Sequence, residues 1–138
     1  MNLRLSFDPA ERQLDVIHGF LTNSYWSPGI PRETVERALA GSIAVSAFDG
    51  DAQIGMARVV TDRATMAYLA DVFVLETHRC QGVARAMIEA LHAHPELQGL
   101  RRWLLFTLDM QPVYARLGWA QYPNPQRVMV RDDPDVYR

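Results

Sequence analysis

The stretch from Leu69 to His92 constrains this chain more than any other. Leu69-Ala70-Asp71-Val72-Phe73-Val74-Leu75 is a nearly unbroken apolar run and reads as a buried strand. Arg79-Cys80-Gln81-Gly82-Val83-Ala84 follows. From about Gly82 to His92, Val83, Met87, Ile88 and Leu91 then recur at helical spacing. A helix start leaves backbone N–H groups without intrahelical partners and carries the positive end of the helix dipole. Gly82 and Ala84 keep that backbone bare, and Arg79 and Arg85 add charge. Strand, turn and helix together make an anion site suited to a phosphate-bearing ligand.

The flanking sequence supplies the remaining elements. Leu3–Phe7 alternates as a strand. Asp8-Pro9 then opens a helix, with Asp8 as N-cap and Leu14, Ile17 and Leu21 as its apolar stripe, ending near Thr22-Asn23. Ser24–Gly29 is a loop carrying Tyr25 and Trp26. Pro31 starts a second helix, closed by Gly41. Ile43–Phe48 and Gln53–Val60 pair across the hairpin signal Asp49-Gly50. A turn at Thr61–Arg63 leads to a long strand over about Met66–Leu75. Arg102–Leu108 is a fifth strand, Gln111–Gly118 a short glycine-closed helix, and Arg127–Val130 a last, partly exposed strand.

Composition narrows the function. A chain of 138 residues suits one domain, read as 1–138 without linker or repeat. With 49 % apolar and 22 % charged residues it is a globular, non-disordered sequence. A net charge of −2 with no basic block argues against nucleic acid as the main partner. No apolar run reaches a membrane span, and Met1–Asp15 lacks a signal-peptide core. The single cysteine excludes an internal disulfide and a cysteine-based zinc cluster. The expectation is a cytoplasmic protein without a metal.

The element order, the Arg-x-x-Gly-x-Ala turn at 79–84 and Tyr114-Ala115-Arg116-Leu117-Gly118-Trp119 together resemble the GNAT superfamily of N-acetyltransferases. The likeness covers nearly the whole chain. It implies an α/β acyl-CoA N-acyltransferase-like fold: a mixed, mostly antiparallel, splayed sheet with helices on both faces. It also implies acetyl-CoA as donor. Carried onto this sequence, backbone N–H groups of Gln81, Gly82, Val83, Ala84 and Arg85, with Arg79, hold the diphosphate. Val72, Phe73 and Val74 pair with the pantetheine arm like an added strand, in a gap facing Phe106–Leu108. Thr107 stands where relatives have a pantetheine-binding asparagine.

The resemblance makes Tyr114 the general acid, since a phenol of pKa about 10 is protonated at neutral pH and can serve the departing sulfur. A backbone N–H within Val72–Val74 polarises the thioester carbonyl. Relatives often carry a base glutamate at the positions of Tyr68 or Ala70; neither is acidic here, and Asp71 is the nearest carboxylate. Strand alternation turns Asp71 to the other face unless a bulge intervenes. Tyr25 and Trp26 are candidates for the acceptor pocket. His78 reads as solvated, His92 and His94 as helix-end cations, and Asp109 as a cap for the next helix. The expected reaction is acetylation of a primary amine on a small molecule or peptide. The rivals are a non-catalytic acyl-CoA-binding module and a transferase acting on a protein or tRNA-borne amine. The family likeness also allows a homodimer.

Overall fold

The computed structural model describes residues 1–138. Five strands form one sheet in the order β1 (Leu3–Ser6), β2 (Ile43–Asp49), β3 (Ala52–Thr61), β4 (Met66–Val74) and β5 (Arg102–Leu105). Neighbours among the first four pair antiparallel, and β4 pairs with β5 in parallel. Four helices complete the chain: α1 (Leu14–Leu21), α2 (Arg32–Ala40), α3 (Val83–His92) and α4 (Gln111–Ala115). The mixed, mostly antiparallel sheet with helices on both faces is the expected architecture. No helix is long and apolar enough to cross a membrane.

Strand alternation sorts the core. Ile43, Val45 and Ala47 of β2, Ala57 and Val59 of β3, and Ala67 and Leu69 of β4 meet Val83, Met87, Ile88 and Leu91 of α3. Ala44, Met56 and Phe73 face the other way and meet Ile17 and Leu21 of α1 and Val35 and Leu39 of α2. Each fully buried Leu or Ile contributes about 1.5–3 kcal/mol by leaving water, so both helix layers are anchored independently of any ligand.

A bulge redirects β4. Arg58 opposes Ala70 and Met56 opposes Phe73, so β4 carries one more residue than β3 between these pairs. Asp71 sits there with φ +54. The extra residue reverses the alternation: Leu69 faces α3, and Phe73 faces α1 and α2. Gly55 lets the strands close over this point. A Cβ there would lie 2.7 Å from the Phe73 carbonyl oxygen, closer than any side chain tolerates.

Several boundaries differ from expectation. The helix opened by Asp8 is a 3₁₀ turn over Pro9–Glu11, capped by Asp8 as expected; extended backbone at Arg12 and Gln13 separates it from α1. Pro31 is the N-cap of α2 rather than its first residue. Asp49 still pairs with Ala52, so the hairpin turns on Gly50-Asp51. The fifth strand ends at Leu105 instead of Leu108, and α4 stops at Ala115 before its glycine. Residues 127–130 join no strand: Pro125–Arg127 is a 3₁₀ turn, and Val128, Met129 and Val130 are exposed.

Candidate functional site

The last pair between β4 and β5 is Leu69 with Leu105. Past that point β4 runs on to Val74 while its neighbour leaves the sheet, so the strands part as expected. Phe73 turns its carbonyl toward Gly55, and the Leu75 N–H bonds the Ile54 carbonyl at 2.8 Å. By alternation, the peptide groups of Val72 and Val74 point to the open side of β4. The Val74 carbonyl is already engaged there, accepting from Arg79 Nε at 3.1 Å. The side chains of Val72 and Val74 pack on the α3 face, and that of Phe73 stacks on Phe20 with ring centroids 4.2 Å apart.

The turn before α3 is built on two left-handed residues, Cys80 at φ +62 and Gly82 at φ +80. Gly82 is the N-cap, with no side-chain cap bond. The N–H groups of Cys80, Gln81 and Gly82 make no bond within the chain. Those of Val83, Ala84 and Arg85 are first-turn donors without intrahelical acceptors. A Cβ at Gly82 would meet nothing within 4 Å, so the space above this run of donors is open. Such a concave run of N–H groups suits an anion. The two arginines do not aim into it alone. Arg79 folds back onto β4, and Arg85 pairs with Glu89 along α3 at 2.7 Å.

Tyr114 lies in α4, half-buried against the α3-side core and 5.8 Å from the Trp119 ring. Burial raises its phenol above the ordinary tyrosine range, and the nearby Tyr25 phenol adds to the rise. Thr107 spends its hydroxyl oxygen on the start of α4, accepting from Met110 N–H at 3.0 Å. Asp109, expected to cap α4, does not do so: Met110 is the N-cap, and no side chain caps the helix.

The bulge places Asp71 on the face of α1 and α2, where alternation alone would not. Both its oxygens are engaged: Oδ2 accepts from Arg58 Nε at 2.6 Å, and Oδ1 accepts from Trp26 Nε1 at 2.8 Å. Arg58 also donates to Ser42 Oγ, which donates in turn to the Ala38 carbonyl. One polar chain thus joins the end of α2, β3, β4 and the loop after α1. The pair's side chains are only 17 % and 10 % exposed, and the void behind them is ≈ 10 Å³, too small for a ligand. Asp71 is therefore held as an anchor through both of its oxygens.

Around this anchor stand aromatics. Tyr25 and Trp26 meet edge to face at 5.0 Å, and Tyr68 meets Phe106 edge to face at 5.9 Å. Tyr25 and Phe106 are largely exposed. Burial raises the Tyr68 phenol, Arg58 opposes that, and Asp71 and Asp132 reinforce it. Asp132 belongs to the C-terminal segment, whose Tyr137 packs against the layer of α1 and α2. Ser24 is buried and structural, bonding the Leu21 carbonyl and the Ser27 N–H.

Sequence reasoning placed Tyr68 and Phe106 near this site but missed Arg58 and the C-terminal segment as its neighbours, because only the bulge and the chain's return bring those in. Two histidines also differ from expectation. His78 Nε2 pairs with Asp49 at 3.0 Å instead of lying free in solvent. His92 has a partner in Trp119, whose Nε1 donates to His92 Nε2 at 3.2 Å.

Comparison with known proteins agrees with this fold. The profile of the Acetyltransferase (GNAT) family matches residues 11–119. The Gibberella zeae protein named "Putative acetyltransferase FG08082" is 31 % identical over 142 aligned positions, 86 % of this chain and 79 % of that protein. A crystal structure from Xanthomonas campestris pv. campestris, a "putative acetyltransferase belonging to the GNAT family", superposes with a TM-score of 0.95 at 40 % identity, over 99 % of this chain and 97 % of its own. The fold is also that of AAC(6')-Iy, solved in complex with a bisubstrate analogue, CoA-S-monomethyl-acetylneamine: TM-score 0.72 at 18 % identity, over 96 % of this chain and 99 % of that one.

Proposed function

Because the chain belongs to the GNAT acetyltransferase family, we propose that it moves an acetyl group from acetyl-CoA to a primary amine of a small molecule or peptide. One observation carries the donor half: an open run of backbone N–H groups around the left-handed Gly82, at the start of α3 and beside an unpaired edge of β4. Gln81, Gly82, Val83, Ala84 and Arg85 hold the diphosphate through their N–H groups, with Arg79 and Arg85 adding charge. Val72 and Val74 offer outward peptide groups to an extended arm. Arg79 releases the Val74 carbonyl when that arm arrives. The CoA conjugate bound by AAC(6')-Iy supports such a ligand on this fold.

When bound, acetyl-CoA supplies the activated acetyl carbon. The amine nitrogen forms a bond to it, the carbon–sulfur bond breaks, and the nitrogen gives up a proton to water. An outward N–H of Val72 or Val74 stabilises charge on the carbonyl oxygen. Tyr114 donates its phenolic proton to the departing sulfur. Its raised pKa keeps that proton in place across the neutral range. Asp71 holds Trp26 and Arg58 in position instead of acting as base, so the amine enters already neutral. The flanking Tyr25, Trp26, Tyr68 and Phe106 suit an acceptor with an apolar body better than a polyamine, which would need several free carboxylates.

The test is thiol release from acetyl-CoA across an amine panel. Release that requires amine, and a Tyr114→Phe variant with turnover lowered at least about 100-fold but donor affinity retained, is the expected result. Turnover unchanged in that variant would remove Tyr114 from the chemistry. The commitment of both Asp71 oxygens favours one second reading, an acyl-CoA-binding module without catalysis. Tight acetyl-CoA binding with no amine-dependent release would select it.

A further inference from the structure

We propose that His92, acting through Trp119, positions the Tyr114 phenol, so that an imidazole at the end of α3 controls the proton donor in α4. The inference rests on the reading of Tyr114 as general acid. An open cleft of ≈ 410 Å³ on this side is lined by His92, Trp103, Leu117, Gly118, Trp119 and Ala120. Within it the imidazole and two indoles are in mutual contact, the indoles themselves edge to face at 6.1 Å. The imidazole meets Trp103 edge to face at 5.0 Å and lies nearly parallel to Trp119 at 5.9 Å. Trp119 Nε1–H donates to His92 Nε2 at 3.2 Å. The other face of the contact chain is Tyr114, whose ring is 5.8 Å from Trp119 and whose carbonyl accepts the Trp119 N–H at 3.1 Å.

This hydrogen bond works in one protonation state only. Nε2 accepts when His92 is neutral with its proton on Nδ1; the imidazolium has a proton on each nitrogen and sets N–H against N–H. Burial lowers the His92 pKa from the ordinary histidine value and so favours the accepting form, while Glu89 one turn earlier pulls the other way. Glu89 is itself paired with Arg85. β5 and the segment after α4 present only the uncharged Trp103 and Trp119 to the ring, and Gln98 bonds only the His92 backbone carbonyl. A depressed folded pKa means the contact is intact above the ordinary histidine pKa of about 6.5 and is lost as pH falls through the lower folded value. Acid then frees Trp119 and loosens Tyr114.

The test compares the wild type with His92→Gln, whose amide oxygen accepts the indole N–H at any pH, and with His92→Ala, which has no acceptor. Turnover is read at saturating acetyl-CoA and amine. At about pH 7.5 the glutamine variant should match wild type within about twofold, and the alanine variant should lose kcat about tenfold with the acetyl-CoA KM unchanged. Toward about pH 5 wild-type kcat should fall about fivefold relative to the glutamine variant. A flat ratio, or an effect confined to KM, overturns the proposal. A second readout does not depend on turnover. In a pH titration by NMR, the Trp119 indole N–H and the Tyr114 ring signals should move with one midpoint below about 6.5, and both movements should vanish in His92→Gln. Movement of Trp119 without Tyr114 ends the chain at Trp119 and refutes the positioning role. If both signals move but no amine is acetylated, the coupling stands and the transferase reading fails.

Discussion

The two faces of the sheet solve different problems by different means. On the α3 side the groups offered to the donor's diphosphate and arm are mainly backbone: a bare turn with left-handed residues at Cys80 and Gly82, first-turn N–H groups, and the outward peptide edge of Val72 and Val74. On the side of α1 and α2 they are side chains held by one ion pair, with Trp26 and Arg58 both fixed on Asp71. A backbone site depends on conformation and tolerates changes in the residues around it. A side-chain site depends on each partner and fails when one is removed. The first kind suits a ligand held by its phosphates, and the second suits an acceptor distinguished by shape.

The largest expected effect separates the two. Asp71→Leu leaves the Arg58 guanidinium without its partner in a mostly buried place and strips the Trp26 indole of its acceptor. Removing one member of such a pair costs about 3–5 kcal/mol, seen as a lower urea midpoint. Acetyl-CoA affinity, measured calorimetrically on the folded fraction, should stay within about twofold. A collapse of donor affinity would mean that the two faces act as one unit. Gly82→Val probes the other side. A β-branched residue at φ +80 costs about 1–2 kcal/mol in strain and covers the open donors. Acetyl-CoA binding should weaken at least tenfold or so, with amine KM much less affected. Gly82→Asn tolerates the left-handed backbone better and should regain most of the stability. If Gly82→Val binds acetyl-CoA normally, the turn is not the phosphate cradle.

This division also explains what the sequence made legible. The alternation of Leu3–Phe7, the hairpin signal Asp49-Gly50 between β2 and β3, the 3.6-residue stripe of α3 and the Gly82 turn are local signals, and each led to the right element. Tyr114 was visible through its spacing to Gly118 and Trp119. The acceptor face was not visible in the same way. Whether Asp71 joins Arg58 and Trp26 depends on one extra residue in β4, and a bulge with a left-handed aspartate has no local signature comparable to a glycine turn. The approach of Asp132 and Tyr137 depends on the chain's return over the sheet, and the apolar run at 127–130 suggested a strand for the same reason that it misled: periodicity reports a face, not a partner. The His92–Trp119 bond joins residues 27 apart in sequence and was equally out of reach.

Thr107 belongs to both regimes and gives the smallest effect. Its hydroxyl oxygen accepts from the N–H of Met110, the residue that precedes α4, and its proton is uncommitted within the chain. Thr107→Val keeps the shape and removes both functions. Loss of the turn bond to Met110 should lower stability by about 0.5–1.5 kcal/mol, and loss of a neutral donor should weaken acetyl-CoA by about three- to fivefold. Thr107→Ser should restore both. A valine variant with lower stability but full donor affinity would confine the hydroxyl to the turn before α4 and take it out of the donor site. Weakened affinity at full stability would instead make Thr107 a side chain through which that mainly backbone site selects its ligand.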